Sequence, residues 1–345
     1  MAQNTRLSEI DIMRPIVIFL LVLMHSFVIF SPTANTWQLP IGIHEVKAYH
    51  WVQELSYSFL LESFTFISGY VYAYAVLGRN KEYSFGILSR NKFKRLIIPS
   101  LVFSLLYTPF FYGKEIVFPR FFYDLICGIG HMWYLPMLFV CFLTTWIIQK
   151  IEINELLKLV ALLLLAIVSI RIPSLFRLNT ITYYLFFFYL GTFLYTKKNE
   201  LLNYKKLYCI FWGTYFLVII PLILLRQDLV HYANELSGCV VIAAKFGSRF
   251  VMIGYSLLGT IALYLSCLNW AKNNATPERI KEINNYCMGI YLIQQFVLKF
   301  LYYHTDLPKL GSYFLPFVGF IIAFAISYYV VKYTCKTRIG RFLFQ

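Results

Sequence analysis

Ten stretches of the chain are almost unbroken in apolar residues: 12–31, 52–77, 96–112, 132–149, 155–170, 181–196, 207–226, 247–269, 286–303 and 313–332. A helix rises 1.5 Å per residue, so about 20 residues cross a hydrocarbon core of ~30 Å. Each run is therefore read as one crossing. The apolar residues come in runs rather than at every second position, which argues against a transmembrane β-barrel. The runs 155–170 and 181–196 are short. Pro109, Pro119 and Pro136 interrupt the third and fourth regions, where a kinked or re-entrant segment is expected. No internal repeat is visible. The pattern predicts an all-α, polytopic helical membrane protein with about ten transmembrane helices, forming one unit over residues 1–345 with no appended soluble domain.

Composition sharpens this picture. Apolar residues make up 59% of the chain and charged residues only 14%. That balance excludes a soluble enzyme, a disordered chain and a secreted disulfide scaffold. About ten crossings leave no room for a soluble catalytic domain of ~100–150 residues, so any chemistry belongs in or at the membrane. The first run lacks a small-residue cleavage site and carries Asp11 and Arg14 at its start. It reads as a retained span rather than a signal peptide.

The net charge of +15, from 31 Lys+Arg against 16 Asp+Glu, would suggest nucleic acid in a soluble protein. Here no nucleic-acid partner is expected, because cytoplasmic loops of membrane proteins are basic anyway. If the runs alternate in direction, about two-thirds of the Lys and Arg fall on one side, including Arg6, Arg14, Lys205 and the cluster in 79–95. That excess places both termini in the cytoplasm. The seven Cys are scattered without a C-x-x-C pair, so no metal or redox site is expected. His44 and His50, near Glu45 and Glu54, fall in the first extracytoplasmic loop and suit contacts to an outside ligand better than a metal. His231 and His304 read as loop residues.

The first span carries the most chemistry. Eleven residues separate Arg14 from His25. At ~100° per residue they fall about 20° apart on one helix face and roughly 16 Å apart along it. Asp11 lies within ~40° of His25 on the same face. Taken singly, a membrane histidine serves helix packing and an arginine snorkels to the interface. Sharing a face tips the reading towards function, because intramembrane ionisable groups are expensive. A neutral imidazole, with a usual pKa of ~6.5, is a natural general base. A guanidinium suits phosphate. The expectation is one hydrated tunnel, with an anion clamp at its cytoplasmic mouth and a base deeper in.

The second span carries Glu62-Ser-Phe-Thr-Phe-Ile-Ser68-Gly69-Tyr70. Glu62 must find a hydrogen bond or a cation, and Ser68-Gly69 allow close helix approach. The following stretch is read as a basic loop holding Arg79, Lys81, Arg90, Lys92, Lys94 and Arg95. Such a cluster attracts anionic lipid headgroups or clamps a polyphosphate ligand. Lys92 and Arg95, three apart, would share a helix face at the mouth of the third span.

These residues resemble the acyltransferase-3 family of integral membrane acyltransferases. Glu9-Ile-Asp11-Ile-Met-Arg14 with His25 resembles the family's acidic-x-x-Arg stretch and its Arg-x10-His spacing. Glu62 to Tyr70 is similar to its acidic-x-Phe-Phe-x-x-Ser-Gly-Phe motif, and Lys92-x-x-Arg95-Leu-x-x-Pro99 to its Arg-x-x-Arg-Leu-x-x-Pro motif. His131-Met-Trp133-Tyr134-Leu135 and Cys287-Met-Gly289-Ile-Tyr291-Leu-Ile-Gln294 resemble later stretches. Lys92 stands where the family favours Arg, Gln294 where it has His, and Cys287 where it has Ser.

The resemblance implies transfer of an acyl group, most simply acetyl, from cytoplasmic acetyl-CoA to a hydroxyl of a cell-surface glycan or its lipid-linked precursor. It implies polysaccharide O-acetylation in the cell envelope, at a bacterial inner membrane, with acyl-CoA, glycan acceptor and membrane lipids as partners. The catalytic set would be His25, Arg14, Glu62 and Asp11. His25 would act as general base or transient acyl carrier. Arg14, Lys92, Arg95 and Arg90 would hold CoA phosphates. His131, Trp133, Tyr134, Tyr291 and Gln294 would line the acceptor cavity. The competing reading is a transporter or exporter of a glycan or small organic anion using the same polar stripe, and binding of CoA separates the two.

Overall fold

The structure, a computed structural model, describes residues 7–31, 37–112, 116–203, 206–225 and 238–344. Arg6, Lys205 and His231 therefore lie outside the described residues. Helix α1 (Ser8–Phe27) ends in a 3-10 turn, Val28–Phe30. Helices α2 (Lys47–Tyr57) and α3 (Leu60–Ala73) form one near-continuous rod that runs on through a π turn, Tyr74–Gly78. Helix α4 (Phe85–Lys92) passes through a second π turn, Phe93–Ile97, into α5 (Ile98–Phe111). Then come α6 (Phe118–Cys127), α7 (Tyr134–Gln149), α8 (Glu155–Val168), α9 (Leu178–Thr196), α10 (Lys198–Leu201) and α11 (Leu207–Leu224). The last four are α12 (Gly238–Asn273), α13 (Glu278–His304), α14 (Leu315–Thr334) and α15 (Arg338–Phe344). The chain is an all-α polytopic membrane protein, with no strand among the described residues.

Among the described residues, seven helical segments, rather than ten, are long and apolar enough to cross a membrane. The shortfall is α8, α9 and α13. Helix α8 has 14 residues, about 21 Å of rise. Helix α13 opens with Glu278-Arg-Ile-Lys-Glu282. Helix α9 is rich in Tyr and Thr, yet every residue from 183 to 192 is buried. It is enclosed by other helices rather than by lipid, so it needs no lipid-facing apolar stripe.

The packing registers show how the helices run. Arg14 meets Asn284 and His25 meets Gln295, so α1 and α13 are parallel. Tyr302 lies against Gly319 and Val331 against Gly289, so α13 and α14 are antiparallel. Helix α3 runs parallel to α12, through Ser63–Thr260 and Tyr70–Tyr264. It runs parallel to α9 as well, through Glu62–Tyr183 and the close approach of Gly69 to Phe188. These directions fit a chain that reverses at each crossing, with α8, α9 and α13 counted as crossings. Phe344 of α15 shares a cavity with Arg14, so both ends of the described chain sit at one end of the bundle.

Two elements differ from the expectation. Residues 85–97 are helical rather than a loop, so Arg90, Lys92 and Arg95 ride on a helical extension of the third span. Ser84 caps that extension by accepting the Ile87 backbone N–H, which lets a polar segment start as a helix. Helix α12 has 36 residues, about 54 Å, and outruns the apolar stretch 247–269.

Candidate active site

Arg14 and His25 both face α13, as their eleven-residue spacing predicts. Asn284 and Gln295 of α13 are also eleven residues apart and meet them one for one. Asn284 bridges two charges: its Nδ2 donates to Asp11 Oδ1 at 2.6 Å, and its Oδ1 accepts from Arg14 Nη1 at 3.1 Å. Higher on α1, the Gln295 amide Nε2 stands 2.7 Å from His25 Nε2. An amide N–H can only donate there, so this His25 nitrogen carries the lone pair. The His25 ring is 6.3 Å from that of His131, centre to centre. His131 in turn contacts the Leu292 carbonyl through Nε2 at 3.3 Å. The Nδ1 atoms of both histidines have no hydrogen-bond partner among the described residues.

The two ends of the polar face open into different cavities. One, of about 700 Å³, is lined by Arg14, Lys92, Arg95, Asn91, Asn284 and Asn285, with Tyr72, Tyr83 and Phe142 as aromatic walls. The Lys92 ammonium lies 3.6 Å from the centre of the Phe142 ring. The other, of about 370 Å³, holds His25, His131, Trp133 and Gln295. Tyr134 and Tyr291 line both. Their rings are 6.0 Å apart. Tyr291 is pinned by donating to the His131 carbonyl, and Tyr134 by the Thr65 hydroxyl at 3.2 Å. The expected single tunnel is thus replaced by two cavities set back to back across a tyrosine wall. The physical reason is the ~16 Å between the two α1 side chains, a span that aromatic residues of α7 and α13 fill at its middle.

Other expected site residues lie elsewhere. Glu62 lines neither cavity. It faces α9, where the Tyr183 hydroxyl donates to it at 2.8 Å, so it joins helices rather than meeting His25. Asp11 lines neither cavity and reaches Arg14 through Asn284. Arg90 is exposed and outside the basic cavity. Gln294 is fully buried and lines neither cavity, though its side chain lies against His25 as that of its neighbour Gln295 does. Glu9 is held by Lys198 at 2.6 Å and the Tyr70 hydroxyl at 2.8 Å. Residues not foreseen in the site are Asn284, Gln295, Lys299, Tyr107 and Arg177. The repeated eleven-residue spacing on α13 was the available signal for the first two.

A bundle of long apolar helices with a basic cavity at one end, a paired imidazole cavity at the other and one ionisable helix face between them defines a multi-pass integral membrane protein. Residues 7–332 match the acyltransferase domain of the acyltransferase-3 family, and the chain belongs to that family. It is a multi-pass membrane acyltransferase. Comparison with curated proteins and with solved structures returned no match.

Proposed function

We propose that the protein moves a small acyl group, most simply acetyl, from acyl-CoA on the cytoplasmic side to a hydroxyl of a glycan or lipid-linked glycan precursor on the other side. The observation that carries this is the pair of cavities that meet only at Tyr134 and Tyr291, one holding Arg14 and the other His25. In this reading Arg14, Lys92 and Arg95 take the CoA phosphates, because guanidinium and ammonium groups pair with phosphate by charge-assisted hydrogen bonds. Tyr72, Tyr83 and Phe142 offer faces for the adenine. The thioester end reaches the tyrosine wall. The acceptor hydroxyl replaces the Gln295 amide at His25 Nε2 and gives its proton to that lone pair. Its oxygen bonds to the acyl carbon, the C–S bond breaks, and CoA leaves as the thiolate. The setting is a bacterial inner membrane, with both chain ends in the cytoplasm.

The test is transfer of label from acetyl-CoA to a glycan by purified protein, together with stabilisation of the protein by CoA alone. Stabilisation by sugar without any by CoA would favour transport instead. Two variants separate the parts. Lys92→Gln combined with Arg95→Gln should raise KM for acetyl-CoA by about tenfold or more while kcat changes little, since phosphate contacts far from the thioester contribute uniform binding. An unchanged KM would remove these residues from the donor site. Gln295→Leu should lower kcat by roughly ten- to a hundredfold, because the amide released from His25 Nε2 no longer holds the acceptor hydroxyl at the imidazole. Equal turnover in that variant would leave Gln295 with packing alone.

A further inference from the structure

The cavity around His25 holds two cations that the transfer reaction above does not use. Arg177 and Lys299 line it, together with Trp37, Trp133, Tyr107 and Asp124. Arg177 caps the start of α9 in the left-handed region, φ 58°, directly after Phe176 at φ 46°. Two successive non-glycine residues in that region are strained, because each Cβ crowds the following carbonyl oxygen. Such strain persists only where the surroundings hold it, and it clusters at ligand sites. Here the Tyr123 hydroxyl accepts the Phe176 N–H at 2.9 Å, and Arg177 Nε donates to the Cys127 carbonyl at 3.2 Å. The strained turn sets the guanidinium 5.4 Å over the Trp133 ring centre. Burial pushes Arg177 down from its ordinary value against the opposing pull of Cys127, Tyr123 and Asp124. In the same cavity Lys299 is buried, with its ammonium 5.1 Å from the ring centres of both Trp37 and Tyr107. Among the described residues lining the cavity, Asp124 is the one carboxylate, and it accepts the Tyr112 hydroxyl at 2.6 Å.

We infer that this cavity is an acceptor subsite for a negatively charged carbohydrate, whose carboxylate or phosphate pairs with Arg177 while its ring lies against Trp133. The word acceptor rests on the acyl-transfer reading, but the binding chemistry does not. A guanidinium presents a planar fork that matches both oxyanions, and the match is stronger where water is excluded. Lys299 adds a second positive charge to the cavity. The aromatic rings beside the two cations give a sugar ring apolar faces on which to rest. A charged group held at Arg177 fixes the orientation of the sugar, and one of its hydroxyls is then presented to His25.

The full chain, purified in detergent, tests this with three probes: an oligogalacturonate, a hexose phosphate and a neutral malto-oligosaccharide. Thermal stabilisation is titrated for each, and transfer from labelled acetyl-CoA is measured in parallel. At least one acidic probe should half-saturate at a concentration about tenfold or more below the neutral one, as expected for hydrogen bonds to a charged group. The better of the two acidic probes tells carboxylate from phosphate. Arg177→Gln should erase the difference, Arg177→Lys should keep part of it, and Lys299→Gln should narrow it. Equal binding of acidic and neutral probes by the unaltered protein overturns the subsite. So does binding of no probe, or an acidic preference that survives Arg177→Gln. Acidic binding through Arg177 without any transfer keeps the subsite and rejects acyl transfer. His25-dependent transfer that ignores acceptor charge does the reverse.

Discussion

Replacing His25 by Ala is expected to lower acyl transfer by about 10²–10⁴-fold, the range a positioned general base contributes. The imidazole is 8% exposed and sits in the smaller cavity, with Gln295 on Nε2 and the His131 ring beside it. No other described side chain in that cavity offers a neutral nitrogen base except His131, which is already directed at the Leu292 carbonyl. Donor binding should survive the change, because Arg14, Lys92 and Arg95 lie in the other cavity. The measurement is therefore a split: stabilisation by CoA retained, labelled product lost. Leaving the Gln295 amide without its partner costs about 1–3 kcal/mol of stability, so folding must be verified by the same melt. Turnover within a factor of a few of the unaltered protein would show that His25 neither takes the proton nor carries the acyl group, and the assignment of the two cavities to donor and acceptor would lose its chemical centre.

Much of this arrangement is legible in the sequence, and the divisions follow physical range. The periodicity of α1 alone puts Arg14 and His25 on one face, because 3.6 residues per turn is a property of the backbone. Which helix that face meets is a tertiary fact, and so is the tyrosine wall that separates the cavities. Arg90 and Arg95 looked equivalent as charges in a loop. A π turn at 93–97 and a capped helix at 85–92 sort them, leaving Arg95 at the cavity and Arg90 outside it. Glu62 was conspicuous because a carboxylate in an apolar span must be satisfied. The group that satisfies it, the Tyr183 hydroxyl, lies 121 positions away, so its structural duty was invisible. Gln294 and Gln295 differ by one position, and only the register of α13 on α1 tells which one lines the cavity beside His25. Helix α9 shows the converse error of scale: hydropathy measures affinity for lipid, whereas α9 is surrounded by protein.

Gly69→Ala is expected to destabilise the protein by about 3 kcal/mol or more, at the upper end of overpacking costs, because the obstacle is backbone rather than a movable side chain. A Cβ at position 69 would stand 1.9 Å from the Phe188 carbonyl oxygen of α9, and one at Gly191 would stand 2.1 Å from the Phe66 carbonyl oxygen of α3. The two glycines thus make a reciprocal contact in which each helix needs the other's missing side chain, the close approach that small residues permit in membranes. Relief requires α3 and α9 to part by about 1 Å or more, which loosens dispersion contacts along the interface. Gly191→Ala should behave alike, and the double variant should cost less than the sum of the two, since the first separation relieves the second clash. Gly213→Ala on α11, where nothing lies within 4 Å of the added carbon, supplies the control and should be near neutral. Equal melting midpoints for Gly69→Ala and Gly213→Ala would refute the tight packing. The effect should also reach activity. Thr65, on α3 one turn before Gly69, holds the Tyr134 hydroxyl, so parting α3 from α9 moves one half of the wall between the two cavities. A revertant that restores the melting midpoint through α9 should then restore transfer as well.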